Sequence, residues 1–405
     1  MLSDDMKTSV LLTSAAFLFP PSLPGYDLHE WGTFTTVAGS DGVLLSGVQR
    51  EEEALPDFVR HHPGFHHVPH AIRAGSKSMP LPVSHVTVKM ETPVIYFHSD
   101  EGFRAEVKVG FQGGSISQWF PERSGGETVE PGSAAAFPPP SFLDFSKPYH
   151  GSIEWEVDVL SPPESRNTVL FKPGDLLQWT RARIPEANVV RAGDGSTEGF
   201  LFYRGLGNFE PGLRTTVAAD ETLSLHNDTG GIIPYLLIYE KMSDGSSRWL
   251  QHGDPLLPGN DLRFPESKLR SGKPGFDDEL YSELVRHLAG QGLLPSESAA
   301  MVQTWWQSYF DTPGLRVFWV LPASRTSAIL PLRVEPAPET TIRILVGRSE
   351  VIRPRSEQAW LALATSEIPE ERRQWASLVG LDRFGLAYAE RIKSLQSRPK
   401  ETAAR

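Results

Sequence analysis

The amino-acid sequence predicts a mainly β protein with accessory helices, in which antiparallel strands form β-sandwich-like sheets. Three observations lead to this fold class. The chain has 35 glycines and 34 prolines, about a sixth of its residues against a usual ~12%, which favours many turns and short strands. Several middle segments alternate strictly between apolar and polar residues, the period of a half-buried strand. Helical spacing of apolar residues begins only near residue 276.

Residues 1–25 have the pattern of a secretory signal peptide. Lys7 precedes eleven largely apolar residues, SVLLTSAAFLF, and the proline-rich PPSLPG follows. A positive start, a short apolar run and such an exit are the parts of a signal peptide, and eleven residues are too few to cross a bilayer, which takes ~20. The alternative is a buried N-terminal strand. We expect export to the periplasm or the exterior, without a transmembrane anchor.

Residues 26–265 are predicted to form the β-sandwich region. The segment FRAEVKVGF places Ala105 and Val107 on one face of a strand, and SIEWEVDVL repeats the pattern with Trp155. Short strands separated by glycine, proline, serine and aspartate turns indicate antiparallel sandwich sheets. The region is one domain or two packed β units, with a glycine- and proline-rich loop near 123–141.

Two local signals refine the strands of this region. Pro93 interrupts HVTVKMETPVIYFHS, which indicates an edge strand or a bulge because proline cannot donate a ladder hydrogen bond. The segment YLLIYEKMSDGSSRWLQHG predicts a hairpin that turns at residues 243–245.

The apolar period changes within residues 266–312, which predict a helical hairpin near 276–310. Leu280, Leu284 and Leu288 recur every four residues and therefore share one face of a helix. The following segment, LPSESAAMVQTWWQSYF, begins with a proline suited to a first helical turn. Two short antiparallel helices are expected.

Strands resume over residues 313–353 and complete a sheet, with GLRVFWVLP, SAILPLRVEP and TIRILVGRSEVI as the predicted strands. Residues 354–405 predict a tail of three short helices. Pro369 suits the first turn of the second of these, and Asp382 suits the cap of the third.

Charge and composition exclude several classes of function. The net charge is −11, and no dense stripe of lysine and arginine is present, so nucleic acid is not an expected partner. The sequence contains no cysteine, which excludes disulfides, thiolate metal sites and cysteine nucleophiles.

The segment HHPGFHHVPH is a candidate metal site in a loop. Its prolines prevent a helix that would align the imidazoles. Imidazole with nearby carboxylate ligands suits Zn²⁺, Ni²⁺ or Cu²⁺, and the alternative is a solvated loop that binds metal weakly. The candidate ligands are His61, His62, His66, His67 and His70, with Glu51, Glu52, Glu53 and Asp57 as possible carboxylate partners.

Three further motifs place polar groups among apolar strands, as catalytic or ligand-binding residues do. Neighbours in a strand point to opposite faces, so the adjacent candidates of the first motif below cannot serve one site together unless a bulge intervenes. Residues two apart share a face, so the two candidates of the second motif can act together or form a salt bridge. An arginine at a strand end can bind a carboxylate or stack on an aromatic ring. The candidates are His29 and Glu30 in LHEWG, Lys89 and Glu91 in VKMET, and Tyr203 and Arg204 in FYRG.

Seven segments together resemble a group of uncharacterised exported bacterial proteins that open on an LHEWGTFT-type stretch soon after a signal peptide. They are LHEWGTFTTVAGSDG, KMETPVIYF, LFYRGLGNF, AAMVQTWWQSYF, GLRVFWVLP, ILPLRVEP and LVGRSEVI. The resemblance implies export and a bacterial envelope setting. It implies no reaction and no catalytic residue, and the histidine-rich segment is not part of it.

The sequence favours an exported β-rich protein that binds a ligand or a cell-envelope partner. One alternative is an extracellular hydrolase or lyase that acts on glycan or peptide, and another is a metal-binding protein built on the histidine-rich loop with Zn or Cu. Enzymatic activity stays open, because a fold class does not imply a reaction and a sequence alone does not reveal which of the 50 acidic residues meet in space.

Overall fold

The computed structural model describes residues 25–51, 55–61, 83–127, 143–170 and 177–397. Residues 1–24 of the predicted signal peptide and most of the 123–141 loop therefore lie outside the described residues. Within those ranges the protein is mainly β with several antiparallel sheets and accessory helices, which confirms the predicted fold class.

The described strands, in chain order, are β1 (Tyr26–Ala38), β2 (Arg60–His61), β3 (Val83–Ser84), β4 (Val88–Met90), β5 (Val94–Ser99), β6 (Phe103–Gln112), β7 (Gly114–Phe120), β8 (Gly125–Gly126), β9 (Leu143–Asp144), β10 (His150–Val159), β11 (Val190–Ala192), β12 (Thr197–Glu198), β13 (Leu201–Gly207), β14 (Leu213–Val217), β15 (Leu223–Asn227), β16 (Leu236–Lys241), β17 (Ser247–His252), β18 (Asp261–Phe264), β19 (Arg270–Ser271), β20 (Gly314–Val320), β21 (Leu332–Glu335) and β22 (Thr340–Val351). The described α-helices are α1 (Pro162–Asn167), α2 (Leu177–Arg181), α3 (Asp278–Gly290), α4 (Pro295–Phe310), α5 (Ala323–Ile329), α6 (Pro354–Thr365), α7 (Pro369–Leu381) and α8 (Gly385–Ser397).

One large sheet organises the molecule. As far as the chain is described, it has eleven strands in the order β19-β17-β16-β20-β22-β1-β4-β13-β7-β2, and β5 pairs with β1 and β13. A six-stranded sheet runs β12-β11-β10-β6-β21 with β8 beside β10, and a three-stranded sheet runs β14-β15-β18. Strands β3 and β9 pair separately. Segments 26–265 and 313–353 thus contribute to the same large sheet.

Strand β1 lies at the centre of this sheet. It pairs in parallel with β22 along nearly its whole length and antiparallel with β4 and β5 on the other side. Both of its faces are buried, with Leu28 and Trp31 at 0% exposure. Pro93 lies in the break between β4 and β5, both of which are central strands, so the predicted interruption is internal rather than at an edge.

Apolar side chains on the two faces of the large sheet pack against different layers. On one face Leu28 belongs to a core with Trp155 of the six-stranded sheet and Leu225 of the three-stranded sheet. On the other face Trp31 belongs to a core with Leu284 of the helical hairpin. The side chains of β1 alternate between its two faces, so one face packs against the other sheets and the opposite face packs against helices.

The predicted helical hairpin is present as α3 and α4. Leu280, Leu284 and Leu288 are buried as their spacing predicts, and α4 begins at Pro295. The prediction of a strand over SAILPLRVEP is wrong for the first part of that segment, because α5 continues to Ile329 and only Leu332–Glu335 is extended.

The three predicted tail helices are α6, α7 and α8, and they dock on the body of the protein. Arg391 of α8 binds Glu357 of α6 with Nε to Oε1 at 2.7 Å, and its Nη1 lies 2.9 Å from Oδ2 of Asp41 beyond β1. Asp382 accepts the backbone N–H of Phe384 just before α8. No helix in the described part of the chain combines the length and apolar character needed to cross a bilayer.

Candidate functional site

An aromatic cleft opens between the large sheet and the helical hairpin. It has a volume of about 110 Å³, and charged and hydroxyl-bearing side chains also line it. Among the described residues, the aromatic side chains that line it are Trp31, Trp179, Phe200, Phe202, Trp305 and Tyr309. We call this site the aromatic cleft.

Strand and helix periods explain how these rings converge. Trp31 of β1 lies opposite Val94, the first residue of β5. Strand β5 therefore begins next to the cleft, directly after the break at Pro93. On α4, Trp305 and Tyr309 are four residues apart, which places them on one helix face, and their rings stack at 5.5 Å. Trp305 also meets Trp31 edge-on at 6.5 Å.

A group of charged side chains adjoins the cleft, and three of its members, Glu51, Glu91 and Arg204, line it. The group consists of Glu51, Lys89, Glu91, Arg204 and Arg383, and we call it the charged cluster. Lys89 Nζ donates to Glu51 Oε2 at 2.7 Å and lies 3.9 Å from Glu91 Oε2. Arg204 donates through Nη1 to Glu51 Oε2 and through Nε to the backbone carbonyl of Glu91, both at 2.6 Å. Arg383 donates to Glu91 Oε1.

Burial and neighbouring charges shift the pKa values of this cluster. Burial acts to raise the pKa of Glu91, but Arg383, Lys89 and Arg204 overcome it and hold that pKa well below its usual range. Burial lowers the pKa of the Lys89 ammonium, and Glu51 and Glu91 oppose the change. Glu91 is therefore ionised at neutral pH and acts as a hydrogen-bond acceptor rather than as a proton donor.

Glu30 and Tyr203, two of the predicted site residues, meet on the opposite face of the sheet. Tyr203 donates to Glu30 Oε1 at 2.6 Å, and Arg343, directly beside Glu30 in the β1–β22 register, donates to Oε2 at 2.5 Å. Tyr203 is fully buried and its pKa lies well above its ordinary value, first because of desolvation and then because of the Glu30 charge. This group lies between the sheets and does not line the cleft.

His29 points away from Glu30, as alternation in a strand requires. Its Nδ1 lies 2.8 Å from Oε2 of Glu297 on α4, and Nε2 of His98 on β5 lies 3.0 Å from Oε1 of the same carboxylate. The side chain of Glu297 is fully buried. His29 and His98 come close because they are diagonal neighbours on adjacent strands, His29 standing opposite Tyr96, and such neighbours face the same side.

Of the histidine-rich segment, the structure describes only His61. It ends the short strand β2, where its Nδ1 lies 3.2 Å from Nε2 of Gln118. Burial lowers the pKa of His61, and the charge of Glu51 opposes this effect. Four predicted ligands lie outside the described residues, as do two of the carboxylates proposed to assist them. They are His62, His66, His67, His70, Glu52 and Glu53.

The structure thus separates the six strand candidates into three groups. Lys89, Glu91 and Arg204 come together at the cleft, Glu30 and Tyr203 pair between the sheets, and His29 joins a histidine and a glutamate that the sequence did not single out. Sequence reasoning also missed Trp305 and Arg383. The proline-initiated helix at 295–310 with its adjacent tryptophans was a usable signal for Trp305, whereas no local pattern marked Arg383.

Comparisons with known proteins identify no family. No protein-family model and no curated protein matches the sequence. The yeast delta-COP-I mu-homology domain complexed with a Dsl1 WxWxV peptide is similar over 81% of this chain and 98% of that chain, with 7% identity and a TM-score of 0.28. The same yeast domain without the peptide covers 83% of this chain and 100% of that chain at 8% identity, with a TM-score of 0.27. At such TM-scores the likeness carries no inference about this protein.

Proposed function

We propose that the protein is exported and that it binds a small ring-shaped ligand, bearing a polar or ionised group, in the aromatic cleft. The observation that carries this proposal is the combination of six aromatic side chains with Glu51, Glu91 and Arg204 of the charged cluster in the lining of one cavity. Ligand sites in proteins have this composition, an apolar or aromatic wall with a few polar groups that fix orientation.

The size of the cleft limits the ligand. A dry protein cavity of about 150 Å³ binds benzene, so about 110 Å³ suits one ring, with the remainder of a longer molecule outside. The wall suits a flat aromatic group or the apolar face of a sugar ring. A free fragment or the end of an envelope polymer would meet this requirement equally.

The charged cluster supports recognition of a polar substituent. Arg204 and Glu51 line the cleft, and the side chain of Glu51 is 22% exposed, so a ligand can exchange hydrogen bonds with both. Glu91 is held ionised by its cationic neighbours. It is therefore unsuited to the general-acid role that a glycoside hydrolase requires at neutral pH.

A cleft-filling variant tests the proposal. Ser308 lines the cleft from α4, and Gln307 beside it is exposed. A panel of monosaccharides, aromatic carboxylic acids and envelope glycan fragments is titrated against wild type, Ser308→Phe and Gln307→Phe by calorimetry and tryptophan fluorescence. We expect Ser308→Phe to weaken binding by more than about tenfold and Gln307→Phe to leave the Kd unchanged. A Kd that Ser308→Phe does not alter, or a panel without any binder, contradicts the proposal.

Export has a separate test. The full chain is expressed in a bacterial host, and the intact mass of the recovered protein is measured. We expect a chain that has lost an N-terminal segment within residues 1–25, because these residues have the parts of a signal peptide. A protein that keeps Met1 or Met6 contradicts export by this route.

A further inference from the structure

A second, separate site lies at the other end of the helix that walls the aromatic cleft. We propose that His29, His98 and Glu297 bind a divalent transition-metal ion, which is Zn²⁺. Their candidate ligand atoms all lie within 4.8 Å of one another. The three residues come from β1, β5 and α4, so the ion would join two strands of the large sheet to the helical hairpin.

The distances suit a zinc ion after small side-chain movements. Zn–N and Zn–O bonds are about 2.0–2.2 Å long, so tetrahedral ligand atoms stand roughly 3.3 Å apart. Nδ1 of His29 and Nε2 of His98 lie 2.8 and 3.0 Å from the two oxygens of Glu297. Two imidazoles and one carboxylate form the ligand set of several catalytic zinc sites, in which a fourth position stays open.

The hydrogen bonds of His98 provide an independent argument. Its Nδ1 lies 3.3 Å from the backbone carbonyl of Glu186, and because a carbonyl only accepts, this hydrogen bond belongs to the tautomer that carries its proton on Nδ1. The Nε2 of a neutral ring then presents a lone pair to the carboxylate of Glu297 at 3.0 Å. In that tautomer Nε2 is available as a metal ligand, and a cation between Nε2 and the carboxylate would bind both acceptors.

The surroundings of the three side chains suit a bound metal ion. His29 and His98 converge on the same carboxylate from two strands, so that one ion could bind all three side chains. The carbonyl of Glu186 behind His98 is the partner that orients metal-binding histidines and fixes their tautomer. On the other side, the backbone N–H of Leu294 donates to Oε2 of Glu297 at 2.8 Å and fixes the carboxylate.

An acidic cleft provides a route for the ion. His98 is the most exposed of the three ligands, with a side chain 15% exposed, and it lines an open cleft of about 340 Å³. Exposed carboxylates surround this opening, and their negative potential raises the local concentration of cations. They are Asp27, Asp100, Glu186 and Glu339.

The test must separate this site from the histidine-rich segment. In a background in which His61, His62, His66, His67 and His70 are all replaced by glutamine, the full-length protein is stripped with a chelator and titrated with ZnCl₂. Bound zinc is measured by calorimetry and by elemental analysis after dialysis. We expect about one zinc ion per chain and a raised Tm, because an ion that binds only the folded state stabilises it.

His98→Gln in this background should weaken zinc binding by more than about 100-fold, because a direct ligand contributes more than the outer partners, whose loss costs 10–100-fold. His226→Gln is the matched control. His226 contacts the carboxylates of Asp261 at 2.8 Å and Asp228 at 3.0 Å but is not one of the three proposed ligands, so its loss should leave zinc binding unchanged.

A spectroscopic readout keeps the test decisive if His98→Gln lowers the folded fraction measured by circular dichroism. Co²⁺ bound to the five-glutamine protein with its His98 intact should give the strong visible absorption of a four-coordinate site, and Zn²⁺ should displace it. Absence of bound zinc in the five-glutamine protein, a Co²⁺ spectrum of the hydrated ion, or zinc binding that a folded His98→Gln variant retains would overturn the proposal.

Discussion

Arg383, which lies between the last two helices of the tail, donates a hydrogen bond to Oε1 of Glu91 in the large sheet. The two residues are 292 positions apart, and the side chain of each is 9% exposed. The same carboxylate lies beside Lys89 and near Arg204. The C-terminal tail therefore completes the charged cluster beside the aromatic cleft rather than forming a separate appendage.

Loss of Arg383 should destabilise the whole protein. Arg383→Ala leaves the buried Glu91 carboxylate with fewer cationic partners, and breaking a buried ion pair typically costs about 3–5 kcal/mol. The comparison is Arg373→Ala, which removes an exposed pair with Glu370 that is worth about 0–1 kcal/mol. Urea unfolding measures both free energies, and equal small losses would show that the tail contact is not structurally important.

Acid should weaken the fold through Glu91. Its folded-state pKa lies below the unfolded value, so its ionised form stabilises the protein fully above the ordinary glutamate pKa of ~4.3, and this stabilisation is lost as the pH falls further. The pKa of Glu350 is likewise lowered, because Arg316 and Arg348 lie beside it and outweigh burial, which acts to raise that pKa. Glu350 therefore contributes to the acid sensitivity in the same direction. Urea unfolding from about pH 7 to pH 3 should give a decreasing free energy below ~4.3. The decrease should be smaller in Glu91→Gln, and an identical slope in both proteins would contradict this assignment.

The buried hydrogen bond between Tyr203 and Glu30 should contribute to stability. Tyr203→Phe removes a donor to an ionised acceptor, and such bonds are worth about 1.5–3 kcal/mol. Tyr281→Phe is the control, because the Tyr281 hydroxyl accepts from Gln303 in an exposed contact. Thermal and urea unfolding should show a clear loss for the first variant and little for the second, and the reverse order would contradict the structure.

Two glycines should respond oppositely to the same substitution. A Cβ at Gly347 of β22 would overlap the ring of buried Trp319, whereas a Cβ at Gly380, on exposed α7, meets nothing within 4 Å. Gly347→Ala should cost about 1–3 kcal/mol by overpacking, and Gly380→Ala should stabilise by about 0.5–1 kcal/mol through helix propensity. The free energy of unfolding of each variant checks the prediction, and a neutral Gly347→Ala would mean that Trp319 lies elsewhere.

Much of the fold was predictable because its signals are local. Strict alternation fixed the inward faces of β6 and β10, and the spacing of Leu280, Leu284 and Leu288 fixed the inner face of α3, since periods of two and about 3.6 residues report which side of an element is buried. The prediction of a strand at SAIL was wrong because it, too, relied on a local pattern. Its apolar residues suit a strand or a short helix equally, and periodicity does not separate the two in so short a run.

The sequence by itself determined which residues share a strand face. Lys89 and Glu91 share one face, whereas His29 and Glu30 point to opposite faces. Only the tertiary structure decided their partners, since Glu297 lies 268 positions from His29 and β1 pairs with a strand more than 300 residues away. Backbone geometry repeats over a few residues and so is visible in local patterns. Contacts between distant segments depend on how whole layers pack, and no short stretch of sequence encodes that.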